Sequence, residues 1–132
     1  MNYLFHVDPR DVADTGDELS IQVRLRKELK LLAPKVALVA VPNGAQRTVW
    51  AAMKAKQEGL QAGFPDCVLI WPEGGIAFAE IKARAGELSE AQHVWLNWLT
   101  KAGHHCGVFR SSRTCIEWLQ GLGAPVNLKV AA

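Results

Sequence analysis

The sequence predicts an α/β protein: a mixed central sheet flanked by helices. Three observations carry this. Apolar residues recur at helical spacing in the first quarter of the chain, at Ile21, Leu25, Leu29 and Leu32. Short runs of β-branched and aromatic residues recur between helical segments, at residues 35–41, on both sides of Pro72, and at 105–109. Two of those runs are joined directly by a tight turn, whereas the others are separated by helices. The element order is therefore αβα-ββ-αβα.

With 132 residues the chain is expected to form one domain, large enough to bury a core. Its 49% hydrophobic and 21% charged composition is that of an ordinary globular protein. No apolar run has the length of a membrane span, and MNYLFHVDPRD does not read as a signal peptide. Three cysteines, Cys67, Cys106 and Cys115, form no paired C-x-x-C motif. They read as buried free thiols in a reducing compartment, which points to a cytoplasmic location.

Taken in order, residues 1–16 read as an irregular N-terminal arm. Asp17 caps a helix that runs to about Leu32, and Pro34 ends it. Extending the apolar stripe back one turn lands on Glu18, which places it on the core-facing side. A first-turn Glu also simply suits the helix dipole. Lys35–Val41 is continuous enough to predict a strand buried on both faces, closed by a turn at Pro42-Asn43-Gly44. Thr48 caps a second helix, Val49–Glu58, stopped by Gly59. Gly63 bends a linker into the central hairpin. Ser89 starts a third helix, Glu90–Ala102, with Val94, Trp95, Trp98 and Leu99 as its expected core stripe. His105–Phe109 is a strand, Ser112 starts a last helix to about Gln120, and residues 124–132 form a tail or an edge strand.

The hairpin GFPDCVLIWPEGGIAFAEIK, residues 63–82, carries the chemistry. Asp66 opens its first strand, and Glu80 and Lys82 close its second. Burying such charges costs several kcal/mol, roughly, unless they are paired or bound to a metal. Side chains alternate along a strand, so Glu80 and Lys82 share a face. Whether Asp66 joins them depends on register. A four-residue Pro-Glu-Gly-Gly turn would set Asp66 opposite Ile81, facing away. An odd-length loop, a bulge, or a distortion at Pro65-Asp66 is therefore expected. Two carboxylates and a nearby main-chain carbonyl make an incomplete oxygen-only shell of the kind that suits Mg²⁺ or Mn²⁺. A Lys beside it can orient or activate a water and balance charge on a phosphate. The plain alternative is a surface ion pair at the end of a hairpin.

Charge along the chain is uneven although the net charge is only +2. Residues 21–56 hold Arg24, Arg26, Lys27, Lys30, Lys35, Arg47, Lys54 and Lys56 against Glu28 alone. This reads either as a solvated helix face or as a phosphate-binding surface. On the second reading Arg47, Lys54 and Lys56, with Arg84 two residues past Lys82, contact DNA.

Gly63-Phe64-Pro65-Asp66, Glu80-Ile81-Lys82 and Leu88-Ser89-Glu90-Ala91-Gln92, with Pro42-Asn43-Gly44 upstream, resemble the VRR-NUC domain of the PD-(D/E)XK nuclease superfamily. The likeness runs from about Glu18 to Leu119 and is to the short stand-alone forms of phages and bacteria. It implies a restriction-endonuclease-like core and a metal-dependent endonuclease. Asp66, Glu80 and the Ile81 carbonyl would hold Mg²⁺ or Mn²⁺, and Lys82 would work on the water. Gln92 would hold Lys82 or the water, and Glu18 would complete the site. The resemblance further implies branched DNA such as Holliday junctions as substrate, and a homodimer to match the two-fold symmetry of a junction. Ser89-x-x-Gln92 is also a capping box. A non-catalytic nucleic-acid-binding module on the same fold, or a nuclease for flap, linear DNA or RNA, remains open. His6, His93, His104 and His105 lack zinc-ligand spacing, no G-x-S-x-G marks a serine nucleophile, and no G-x-x-x-x-G-K-[ST] implies ATP.

Overall fold

The computed structural model describes residues 4–42, 48–59 and 61–131. Asp17 accepts the Ser20 N–H at 2.8 Å and caps α1, Glu18–Leu32. Ile21, Leu25, Leu29 and Leu32 line the buried face of α1, as their spacing requires. β2 is Ala37–Ala40, and α2 is Val49–Gln57 with Thr48 as its cap. β3, Cys67–Trp71, and β4, Gly75–Ile81, form the hairpin. Ser89 caps α3, Glu90–Lys101. β5 is His105–Phe109, and α4 is Ser112–Gly121.

These strands, with β1 at His6–Val7, form one five-stranded mixed sheet in the order β1-β5-β4-β3-β2. The β1–β5 and β5–β4 pairs are parallel; β4–β3 and β3–β2 are antiparallel. Alternation along β4 divides the core. Ala77, Ala79 and Ile81 face α1 and α4, while Phe78 faces Leu96 and Leu99 of α3.

Three expectations are corrected. The first 16 residues are not wholly irregular: they contain β1 and a short 3₁₀ turn, Arg10–Val12, because a two-residue strand draws its stability from the ready-made edge of β5. Residues 35–41 do not form a strand buried on both faces. Among the described residues β2 is an edge strand; Leu38 packs on the core, whereas Val39 remains exposed because the helix on that side packs on β5. The α3 core stripe is Leu96 and Leu99 with Trp95 alongside, while Val94 and Trp98 point outward. For the C-terminal segment, expected as a tail or an edge strand, the described residues form no strand, and Leu128–Ala131 is a 3₁₀ turn. The Asn43-Gly44 turn lies outside the described residues.

The expected odd-length loop is present. Trp71 pairs with Gly75 and Cys67 with Ala79, which leaves Pro72, Glu73 and Gly74 as a three-residue connection. Glu73 and Gly74 both take positive φ, 70° and 81°. Gly75 thus belongs to the strand and not to the turn. A Cβ there would lie 1.9 Å from Trp71 Nε1, so only glycine lets the indole close over the hairpin.

Candidate metal centre

The three-residue connection fixes the register that matters. Continuing it one step beyond Cys67–Ala79 sets Asp66 opposite Glu80, with the strand parity of Val68 and Phe78. Asp66 Oδ2 accepts the Ile81 N–H at 2.9 Å, and the Asp66 carbonyl accepts the Val41 N–H at 2.8 Å. The residue is thereby tied to strands on both sides. Gly63 prepares the approach: its φ is +84°, and a Cβ would lie 2.5 Å from the Ala91 carbonyl carbon. The chain entering Asp66 therefore rests directly on the start of α3.

Glu18, at the first turn of α1, brings the third carboxylate. One oxygen from each of Glu18, Asp66 and Glu80 lies within 4.8 Å of the others. Lys82 Nζ stands 3.9 Å from both Glu18 Oε1 and Glu80 Oε2. Glu18 is half-exposed rather than core-facing, so it closes the rim of the cluster. Glu80 is the buried member, at 1% exposure. Gln92 Oε1 accepts the Ser89 N–H at 2.8 Å, while its Nε2 donates to Glu80 Oε2 at 3.2 Å. One side chain thus completes the capping box and holds a carboxylate; the recorded partner is Glu80 rather than Lys82.

Burial, the neighbouring Asp66 charge and a hydrogen bond with Asp66 push the Glu80 carboxyl up to about 9, against a smaller opposing pull from Lys82. Burial also raises Glu18, and Lys82 opposes it. Once Glu80 is ionised, its buried Oε1 has no hydrogen-bond partner among the described residues. An orphaned carboxylate oxygen costs about 1–3 kcal/mol or more. Its position in a three-carboxylate, oxygen-only group fits a hard divalent cation, which would satisfy it and lower the pKa of the whole cluster.

Two residues not singled out in the sequence support the site. Asp8, 3% exposed, follows β1, and Arg110, 6% exposed, follows β5. Asp8 Oδ2 accepts the Arg110 N–H at 2.9 Å and the Thr114 hydroxyl. The Arg110 guanidinium donates to the carbonyls of Ala83 at 2.5 Å and Gly86 at 2.9 Å, while the Lys82 N–H bonds the Phe109 carbonyl at 2.9 Å. Arg10 adds a 2.6 Å bond to the Arg84 carbonyl. The loop just after Lys82 is therefore clamped by two arginines. The signal for them lay in charges set at the ends of apolar strands, the same pattern that marks Lys82.

Of the expected DNA contacts, Lys54 and Lys56 are exposed on α2, and Arg84 is exposed on the clamped loop. Arg47 lies outside the described residues. All three cysteines are buried and free, and burial pushes Cys67 up to about 12. No described helix is long and apolar enough to cross a membrane.

A restriction-endonuclease-like α/β core with an acidic cluster and a lysine at the strand ends defines the broad class. The model of the VRR-NUC domain family matches residues 12–113, most of the chain, and the protein belongs to that family of nuclease-like domains. A solved structure described as a VRR_NUC domain protein has a similar fold, with a TM-score of 0.62 and 20% identity over 81% of this chain and 88% of that one. No curated protein matches the chain.

Proposed function

We propose that the protein is a divalent-metal-dependent endonuclease that hydrolyses phosphodiester bonds in branched DNA, with four-way junctions as its leading substrate. The observation that carries the metal-dependent nuclease reading is the three-carboxylate cluster with one orphaned Glu80 oxygen beside Lys82, while branched DNA as substrate rests on the resemblance to the short stand-alone family members. A non-catalytic module that binds phosphates has no use for acidic groups there without a cation.

In this reading Asp66, Glu80 and the Ile81 carbonyl hold Mg²⁺ or Mn²⁺, and Glu18 completes the site from α1. A cation held there would supply Lewis-acid activation of a phosphate and a water. Lys82 orients the attacking water and meets the negative charge that grows on the phosphate. Gln92 keeps Glu80 in place, and the Asp8–Arg110 clamp fixes the loop that follows Lys82. Lys54, Lys56, Arg84 and Arg47 contact backbone phosphates without reading bases. A homodimer would present two such sites to the two symmetric strands of a junction. Three buried free thiols support action in the reducing cytoplasm.

The test is cleavage of end-labelled four-way, flap and linear DNA in Mg²⁺, Mn²⁺ or EDTA. Cutting of the junction in metal, none in EDTA, and none by Asp66→Asn is the expected pattern. Preferential cutting of flap or linear DNA, or of RNA, would replace the substrate. Failure to cut any nucleic acid in either metal would remove the catalytic reading.

A further inference from the structure

α2 is turned inside out. Its large apolar side chains, Val49, Trp50 and Met53, are 79%, 72% and 58% exposed, while Ala51 is the half-buried one. At about 100° per residue these three lie within one arc of roughly 100°, with Lys54 beyond one edge and Lys56 beyond the other. Lys54 Nζ sits 5.6 Å from the Trp50 ring centroid, a cation–π contact that restrains the indole in its outward position. An apolar stripe of this kind in water calls for an occupant.

The excursion that carries α2 leaves and rejoins the sheet at Asp66. Before α2 the chain leaves β2 beside Val41, whose N–H bonds the Asp66 carbonyl; after it, Gly63 rests on Ala91 and leads into Asp66. Both anchors of the excursion are thus at the Asp66 end of the sheet.

We propose that the Val49–Trp50–Met53 face receives unstacked bases of a branched DNA strand while the flanking lysines hold its phosphates. Charge complementarity selects this occupant. Lys54, with Glu58 3.9 Å away, and Lys56 border the apolar stripe on both sides, where their charge matches the phosphates of a strand whose bases lie on the indole. Intact duplex offers phosphates to the lysines but no open base face to the indole; a branch point offers both. The inference rests on the nuclease reading for its substrate and gives α2 the task of choosing branched over linear DNA.

The test is equilibrium binding, which needs no cleavage. The protein carrying Asp66→Asn is titrated into a fluorescein-labelled four-way junction and into a duplex of the same arm sequence. Adding Trp50→Ala should weaken junction binding about tenfold or more and duplex binding less than about threefold, while Trp50→Phe keeps most of the preference. Circular dichroism should show both variants folded, since Trp50 is exposed. An equal loss on both DNAs, or no loss on either, overturns the proposal. So does sedimentation showing that Trp50→Ala splits a dimer without DNA, because the stripe is then covered by a second copy. A junction-selective loss in a protein whose wild-type form cuts no DNA leaves this surface standing and removes the nuclease reading instead.

Discussion

Lys82 is 8% exposed, yet it makes no contact shorter than 3.9 Å to a carboxylate among the described ion pairs. Two long contacts are weak as structural bonds and well placed for a water or a phosphate oxygen to enter. Methionine can follow the same apolar path. Lys82→Met should therefore keep the circular-dichroism spectrum and junction binding, while cleavage falls by about 10²–10⁴. Cleavage near the wild-type rate would take Lys82 out of the site; an unfolded variant would make it a structural ion-pair partner. Arg110 predicts the opposite balance. Its guanidinium satisfies carbonyls on either side of Arg84, and removing a charged donor from buried acceptors costs about 1–3 kcal/mol. Arg110→Met should lower the denaturation midpoint measurably and loosen the loop after Lys82, slowing cleavage as a secondary effect. An unchanged midpoint would mean that the clamp does not constrain that loop.

At the scale of elements, the parts legible in the sequence were those whose signal is local. The α1 stripe, the Ser89 capping box and the distance between Asp66 and Glu80 all lie within short stretches. The odd-length hairpin was legible for a chemical reason: only that register brings both carboxylates to one face. What failed to show depends on the rest of the sheet. Residues 35–41 have a central strand's composition, but edge position is set by which strands pair. β1 is too short to announce itself without β5. In α3 two outward residues, Val94 and Trp98, have core-like composition, but apolar type alone does not fix burial. Asp8 and Arg110 carry a local signal as charges at strand ends, but their pairing across 102 positions of sequence does not show until the sheet is assembled. Gly63 gives the element-scale test. Its positive φ and the 2.5 Å approach of a Cβ to Ala91 mean that Gly63→Ala must push the Asp66 approach off α3. We expect a loss of at least about 1–3 kcal/mol in urea unfolding and loss of cleavage together. A fully stable and active Gly63→Ala protein would show that this packing is dispensable.

For the whole molecule, two buried carboxyl groups pull stability in opposite directions with pH. Burial raises Asp8, but bonds from His6, Thr114 and the Arg110 N–H outweigh it, and its pKa is lowered. Its contribution is present above the unfolded value and is lost as pH falls through the lowered folded one. Glu80 behaves in reverse. With a folded pKa near 9 and an ordinary unfolded one of 4.5, the metal-free native state holds a proton that the unfolded chain has released. Stability from that proton is complete below the unfolded pKa and is lost as pH rises through the folded one. In EDTA the melting temperature should therefore pass a maximum on the mildly acidic side and decline toward pH 9. On the metal-dependent reading a divalent cation would replace the proton on the cluster, and ligands that bind only the native state stabilise it by mass action. Mn²⁺ should thus raise the melting temperature most at the alkaline end and flatten the decline. Glu80→Gln should abolish both the decline and most of the Mn²⁺ effect, because its amide neither titrates nor attracts the ion as a carboxylate does. Thermal scans from pH 4 to 9, with EDTA or Mn²⁺, read all of this without any DNA present. A melting temperature that rises steadily to pH 9 in EDTA would mean that Glu80 is already ionised in the metal-free protein and held by Lys82. The cluster would then be a structural ion-pair network, and the case for a metal would lose its strongest support.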